Sequence, residues 1–232
     1  MTTLPTETIA PAGDERLYFQ RVFGWMCGGL AVTGGVSALV GHSQTALNTL
    51  FGGSAVPLIV CFVVELALVA GLVGLVQHMS TFEAAAVFLG YAALNGVTLS
   101  VVFAVFTTKS IFTTFLVTAA MFGGLAVWGY VTKTDLTKLG SFLLMGLFGL
   151  IVGGVVNLFW QNSGLYWATT IGGIVIFAGY TAFDVQKLKT YEVAGTANDQ
   201  AVEKSAIVGA LALYLDFVNL FLYLLRLLGR RK

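Results

Sequence analysis

Three acidic side chains stand where charge is costly: Glu65 in VCFVVELALVAG, Asp184 in GYTAFDVQKLK and Asp216 in LYLDFVNLFLYLLRLLG. A charge at mid-bilayer costs about 3 kcal/mol even on lenient insertion scales, so acids in such surroundings mark function by default. The two aspartates occupy consecutive apolar segments joined by one connection, which can therefore lie as antiparallel neighbours. At a rise of about 1.5 Å per residue, Asp216 falls about one turn deeper than Asp184. Helix tilt, or continuation of the sixth helix through Lys187, would close that gap. Two carboxyls that meet repel by about 4 kcal/mol at ~4 Å in an effective dielectric near 20. Such a pair holds one proton between its members and titrates as a unit, which is a pH sensor. The same sharing serves aspartyl hydrolysis. Hard cations prefer oxygen ligands, and Glu65, Asp184, Asp216 and Asn219 supply them, although no spacing specifies a metal site.

The elements that must position these residues are membrane helices. Of 232 residues, 57% are hydrophobic and 10% charged, which excludes a soluble globular domain. A net charge of +1 gives no reason to expect nucleic acid. Seven hydrophobic segments, about 22–40, 56–76, 84–106, 111–131, 139–160, 165–183 and 206–228, each suit one helical crossing. They predict an all-α polytopic membrane protein with a single transmembrane domain over residues 21–232. Residues 1–20 read as a polar tail without the features of a removable signal peptide, so the first segment serves as an uncleaved membrane signal. The longest loop, near residues 185–204, is polar and partly acidic. With the N-terminus inside, the cytoplasmic side collects Arg16, Arg21, Lys133, Lys138, Lys187, Lys189 and Lys204, against Lys109 in the opposite loops. Arg230, Arg231 and Lys232 then fall outside, against the rule, unless the last segment re-enters rather than crosses.

The last segment is the one around which the others are expected to pack. Ser205, Gly209, Ala212, Asp216, Asn219, Tyr223 and Arg226 follow at spacings of three or four, a single stripe that must face helices or a wet cavity. Arg226 stands near the segment's end, where it can snorkel. Asn95 and Asn157 read as interhelical hydrogen-bond partners, and the Gly24/Gly28 and Gly149/Gly153 pairs as close-contact spacings. Cys27 and Cys61 read as small apolar fillers.

At GYTAFDVQKLK and LYLDFVNLFLYLLRLLG the chain resembles the transmembrane Bax inhibitor motif family, also called the Bax inhibitor-1 family. Weaker echoes are RVFGWM in the first segment and the lone glutamate of the second. The resemblance implies two three-helix layers wrapped around a central C-terminal helix. It also implies a passive calcium leak channel whose opening depends on pH through an aspartate pair, here Asp184 and Asp216. Some bacterial relatives carry a basic cluster at the inner end of the second helix. Here that region reads VQHMSTFEA, which leaves His78, with Arg226, as possible counter-charges. The partners expected are calcium and the bilayer, in a bacterial inner membrane with the N-terminus cytoplasmic; no cofactor and no enzymatic activity are expected. One alternative is a regulatory protein that acts by binding other membrane proteins. An intramembrane aspartyl protease is disfavoured, because Leu213, Tyr214 and Leu215 precede Asp216 instead of the Gly-x-Gly such proteases carry. A retinal-binding protein is excluded by the absence of lysine from the last segment.

Overall fold

A computed structural model describes residues 12–52, 56–193 and 199–232. The described residues form helices α1 (Ala12–Gly41), α2 (Gln44–Phe51), α3 (Val56–Leu75), α4 (Thr81–Leu99), α5 (Val101–Val105), α6 (Thr108–Val131), α7 (Thr137–Trp160), α8 (Ser163–Val193) and α9 (Asp199–Leu228). A short 3-10 turn, Val76–His78, continues α3. Seven stretches are long and apolar enough to cross a membrane, with α4 and α5 together making one of them.

Local chemistry sets the helix ends. Ser80 and Glu83 form a reciprocal capping box at the start of α4. Thr107 caps α6 through the Ser110 amide, and Asp135 accepts from the Thr137 amide at 2.9 Å at the start of α7. Gln161, in the left-handed region at φ 47°, ends α7. Asn157 serves this turn, its side-chain oxygen accepting from the Asn162 amide. It is a local staple, not the interhelical partner its apolar setting suggested.

The helices sort into two layers. In one, α4 packs between α1 and α3; in the other, α8 packs between α6 and α7. The last helix, α9, lies between the layers and touches α1, α4, α6 and α8. It is the most enclosed span: Leu211, Leu213, Tyr214, Leu220 and Leu225 are all buried along with Asp216, while Val208, Ala212, Leu215 and Asn219 line a half-buried face. Of the small-to-polar stripe, Gly209 and Asp216 are buried, Ser205, Ala212, Asn219 and Tyr223 are half-buried and Arg226 is exposed. Gly209 and Tyr223 pack on α8, whereas Ser205 meets Tyr18 of α1.

Several boundaries move. α1 begins at Ala12, not after residue 20, because Tyr18 and Phe19 are core residues and the first turns carry ion pairs: Glu15 with Lys189, and Arg21 with Asp199 and Glu203. The part of the expected tail before Ala12 lies outside the described residues. The expected loop at 185–204 is largely helical, since α8 runs to Val193 and α9 starts at Asp199. Charged residues there do not end the helices; they pair with α1 and with the end of α3, where Lys204 Nζ donates to the Gln77 and Met79 carbonyls. The eight-residue α2 carries no membrane-length pattern and was not legible.

These contacts define two ends of the bundle. The near end holds the start of α1, the α3–α4 and α6–α7 turns, the end of α8 and the start of α9. The far end holds α2, the α5–α6 turn and residues 229–232. There the Thr107 amide donates to the Arg230 carbonyl, and the Lys232 amide donates to the Val105 carbonyl. So α9 crosses completely, and re-entry gives way to a full span with Arg230, Arg231 and Lys232 at the far end.

Close approach is concentrated at glycines other than the expected pairs. A Cβ on Gly24, Gly28 or Gly149 would meet nothing within 4 Å, whereas one on Gly153 would meet Thr169 Cγ2 at 2.9 Å. One on Gly96 would strike the Thr33 carbonyl oxygen at 2.8 Å, and one on Gly129 the Ala182 Cα at 2.8 Å. Those obstacles are backbone and cannot rotate away. Gly129→Val should therefore separate α6 from α8 and destabilise the protein by about 2–3 kcal/mol, read as a lower unfolding midpoint in detergent. Gly123→Ala, where a Cβ meets nothing within 4 Å, should not lower the midpoint.

Candidate functional site: an acid pair between α8 and α9

The antiparallel register of α8 and α9 brings the aspartates together. Gly209 packs against Leu188 at one level, and Tyr223 against Gly173 and Phe177 at another. Asp184 and Asp216 fall between these levels and lie close enough for their carboxyls to share a hydrogen bond. The extension of α8 past Lys187 gives the overlap that the shorter segments lacked. Asp216 is 4% exposed, and its Oδ2 has no hydrogen-bond partner among the described residues. Asp184 is half-buried.

The surroundings differ in the two directions along the seam. Toward the far end, the Tyr223 and Phe177 rings stack at 5.9 Å across α8 and α9. On the α6 side of α9, Phe217 meets Phe115 at 5.4 Å and Phe122 at 5.5 Å. Toward the near end, Lys187 follows Asp184 by one turn and its positive charge acts on that carboxyl. Tyr180 precedes Asp184 by one turn, close enough to interact electrostatically with both acids. Sequence reasoning passed over Tyr180, although its i, i+4 relation to Asp184 in GYTAFD placed it on the same side of the helix.

The other singled-out residues lie elsewhere. Asn219 is half-buried, and its Nδ2 donates to the Leu215 carbonyl of its own helix at 2.8 Å. His78 and Arg226, named as possible counter-charges, are both exposed. His78 is at the near end beside the Lys204 anchor, and Arg226 lies over the Tyr223 ring at 5.3 Å. Ten residues of helix put Arg226 about 15 Å along the axis from Asp216. Neither is placed beside the pair; the cation that acts on it is Lys187. Among the described residues no three His, Cys, Asp or Glu side chains are grouped as a metal site. Cys27 is exposed, Cys61 is half-buried, and both are free.

Glu65 belongs to a second polar cluster, on the opposite side of α9. It is 7% exposed, and its Oε1 accepts from Thr98 Oγ1 at 2.7 Å. Asn95 lies within hydrogen-bond reach of the same carboxyl. The Asn95 Oδ1 accepts from the Tyr214 hydroxyl at 3.0 Å, which also meets Thr33 Oγ1 at 2.7 Å. Thr33 in turn reaches the Ala92 carbonyl at 2.8 Å. Two hydroxyl protons serve these three contacts, so the chain from Thr33 to Asn95 has more than one arrangement. Tyr214 and Asp216 are two residues apart and point to opposite layers, one into each cluster. Because Tyr214 is an aromatic among leucines, its type alone did not single it out.

This geometry defines a class: a multi-pass α-helical membrane protein whose central helix carries buried polar groups toward both of its layers. The family model described as "Inhibitor of apoptosis-promoting Bax1" matches residues 15–232, and the chain belongs to that family, the Bax inhibitor-1 family. It is 41% identical over 225 residues to the inner membrane protein YbhL of Escherichia coli K12, covering 97% of this chain and 96% of that one. An uncharacterized protein of Borreliella burgdorferi is 41% identical over 215 residues, covering 93% and 92%. Protein RP147 of Rickettsia prowazekii, also uncharacterized, is 39% identical over 236 residues, covering 99% and 97%.

Tyr214 joins α1, α4 and α9 through one hydroxyl. Tyr214→Phe keeps the ring contacts with Phe88 and Tyr91 and should cost about 1 kcal/mol, the usual scale of an interhelical hydrogen bond in a membrane. Denaturant unfolding in mixed micelles measures it, and an unchanged midpoint would remove the hydroxyl from the forces that join the layer to α9.

Proposed function

We propose that this protein is a passive calcium leak channel of the inner membrane, its opening set by the protonation state of Asp184 and Asp216. One observation carries the reading: Asp216, buried inside the bundle, has a carboxylate oxygen without a partner among the described residues and faces a second carboxyl. An isolated buried charge is not stable in such a place, so the pair must hold a proton or a cation. With one proton shared, a hydrogen bond ties α8 to α9; gaining or losing protons alters that tie and shifts one helix against the other. States that bind protons differently are biased by pH alone. In this reading the arrangement corresponds to the closed state, which the Phe177–Tyr223 stack on the far side of the pair supports. Asp184 is half-buried and one turn from the exposed Lys187, which supports proton access to the pair from the near end.

Calcium is the ion this reading favours because the buried polar groups are rich in oxygen: carboxyls of Asp184 and Asp216, and of Glu65 with the Thr98 hydroxyl. The Lys and Arg balance supports a cytoplasmic near end, with the N-terminus inside and residues 229–232 outside.

The test is calcium flux into liposomes containing only the purified protein, across a pH series. Asp184→Asn and Asp216→Asn should each flatten the pH dependence, and the double variant should do little more, because the two act as one titrating unit. Additive effects of the single variants would overturn the shared-proton mechanism, and absence of flux at every pH would overturn the channel. Glu65→Gln keeps the volume and removes the charge, and should lower calcium flux while the protein stays folded; unchanged flux over a range of calcium concentrations would reduce Glu65 to a structural role.

A further inference from the structure

The far end is basic without compensation. The described segments that turn or finish there, 41–52, 105–110, 160–164 and 228–232, contain no Asp or Glu, yet carry Lys109, Arg230, Arg231 and Lys232. At the near end, by contrast, cations pair with acids, as Arg21 does with Asp199 and Glu203. The excess is held in a defined place. Residues 229–232 clip onto the α5–α6 turn: the Arg230 amide donates to Ser110 Oγ at 2.8 Å, and Lys232 Nζ donates to the Phe103 carbonyl at 2.6 Å. Lys109 adjoins Ser110 in the first turn of α6, so Lys109, Arg230 and Arg231 stand together, all exposed.

Directly beside this clip, an apolar cavity of about 240 Å³ opens between the two layers, where α1 and α5 face α6 over a floor of α9. Leu30, Gly34, Phe103, Ile111, Phe115 and Phe217 are among its walls. It opens sideways toward the membrane interior, since Phe112 and Phe115 on its α6 wall are 61% and 40% exposed. Phe103 belongs both to the cavity wall and to the clip, which ties the apolar cleft to the cluster of positive charge.

We propose that this cleft and its basic rim form a binding site for an anionic phospholipid. One acyl chain enters the cavity, and the headgroup phosphate sits against Lys109, Arg230 and Arg231. Charge complementarity selects the occupant: a zwitterionic lipid fits the cleft equally well but leaves the uncompensated cations without a net counter-charge, and a soluble phosphate leaves the cleft empty. The site also accounts for basic residues that stand against the usual loop-charge rule, since a lipid phosphate neutralises them in place. The proposal does not depend on ion conduction.

The test is native mass spectrometry of the full chain in detergent, titrated separately with phosphatidylglycerol and phosphatidylcholine of identical acyl chains. The wild type should prefer phosphatidylglycerol by about tenfold, the scale of one to two kcal/mol that a few interfacial cations supply. Lys109→Gln/Arg230→Gln/Arg231→Gln should abolish most of that preference, whereas Lys133→Gln/Lys138→Gln at the other end should keep it. A Cβ on Gly34 meets nothing within 4 Å, so Gly34→Phe can fill the cleft without a backbone clash, and it should weaken both lipids. Equal binding of the two lipids by the wild type would overturn the proposal, whatever the variants do. So would a preference that survives in the triple variant, or displacement of the lipid by millimolar glycerol 3-phosphate, which would make this a site for free phosphate.

Discussion

A carboxyl in the middle of a membrane helix must be enclosed, and the architecture follows from meeting that condition for Asp216. Lipid offers no hydrogen bonds, so the helix that carries such a group is stable only where other helices surround it. In this protein most of α9 is enclosed: it has a layer on either side, and Leu211, Leu213, Leu220 and Leu225 are buried with the acid. The outer helices α3 and α7, which touch neither Asp216 nor α9 extensively, keep long runs of exposed Ile, Leu, Val and Phe for the bilayer.

Within α9 the polar groups are divided between the layers. Asp216 faces α8 and a second acid; Tyr214, two residues earlier, faces α1 and α4 and reaches toward Glu65 through Asn95. The two clusters therefore lie at nearly the same depth on opposite sides of one helix, about 3 Å apart along its axis. A rotation or shift of α9 that alters one cluster must act on the other. The hydroxyl chain from Thr33 through Tyr214 can exchange its proton positions without a large movement.

The ends of the bundle are built on different principles. At the near end, ion pairs between α1, α8 and α9 fix where the helices begin and stop. At the far end, backbone hydrogen bonds between the chain's last residues and the α5–α6 turn do that work, and the side-chain charges remain uncompensated by protein. Tight contact within each layer rests on glycines opposed to backbone, Gly96 of α4 against Thr33 of α1 and Gly129 of α6 against Ala182 of α8.

The sequence by itself determined the class of protein, the seven spans, the central place of the last helix and the identity of the acids. Each of these is decided by transfer energy and helical periodicity, which are properties of single segments. It could also name the family, because GYTAFDVQKLK and LYLDFVNLFLYLLRLLG are distinctive as strings. The meeting of Asp184 with Asp216 was open, since it depends on the lengthwise register of two helices, and register is set by side-chain packing such as Leu188 on Gly209 and Tyr223 on Gly173. Which glycines make close contact was likewise undecided by spacing; Gly24 and Gly28 have the motif and no neighbour, because a glycine draws a helix near only where one is already aimed at it. The Thr33–Tyr214–Asn95–Glu65 cluster joins four helices far apart in the chain. No local pattern announces it. Only the tertiary structure could, because a hydrogen bond between distant helices is a fact about their relative position and not about any one of them.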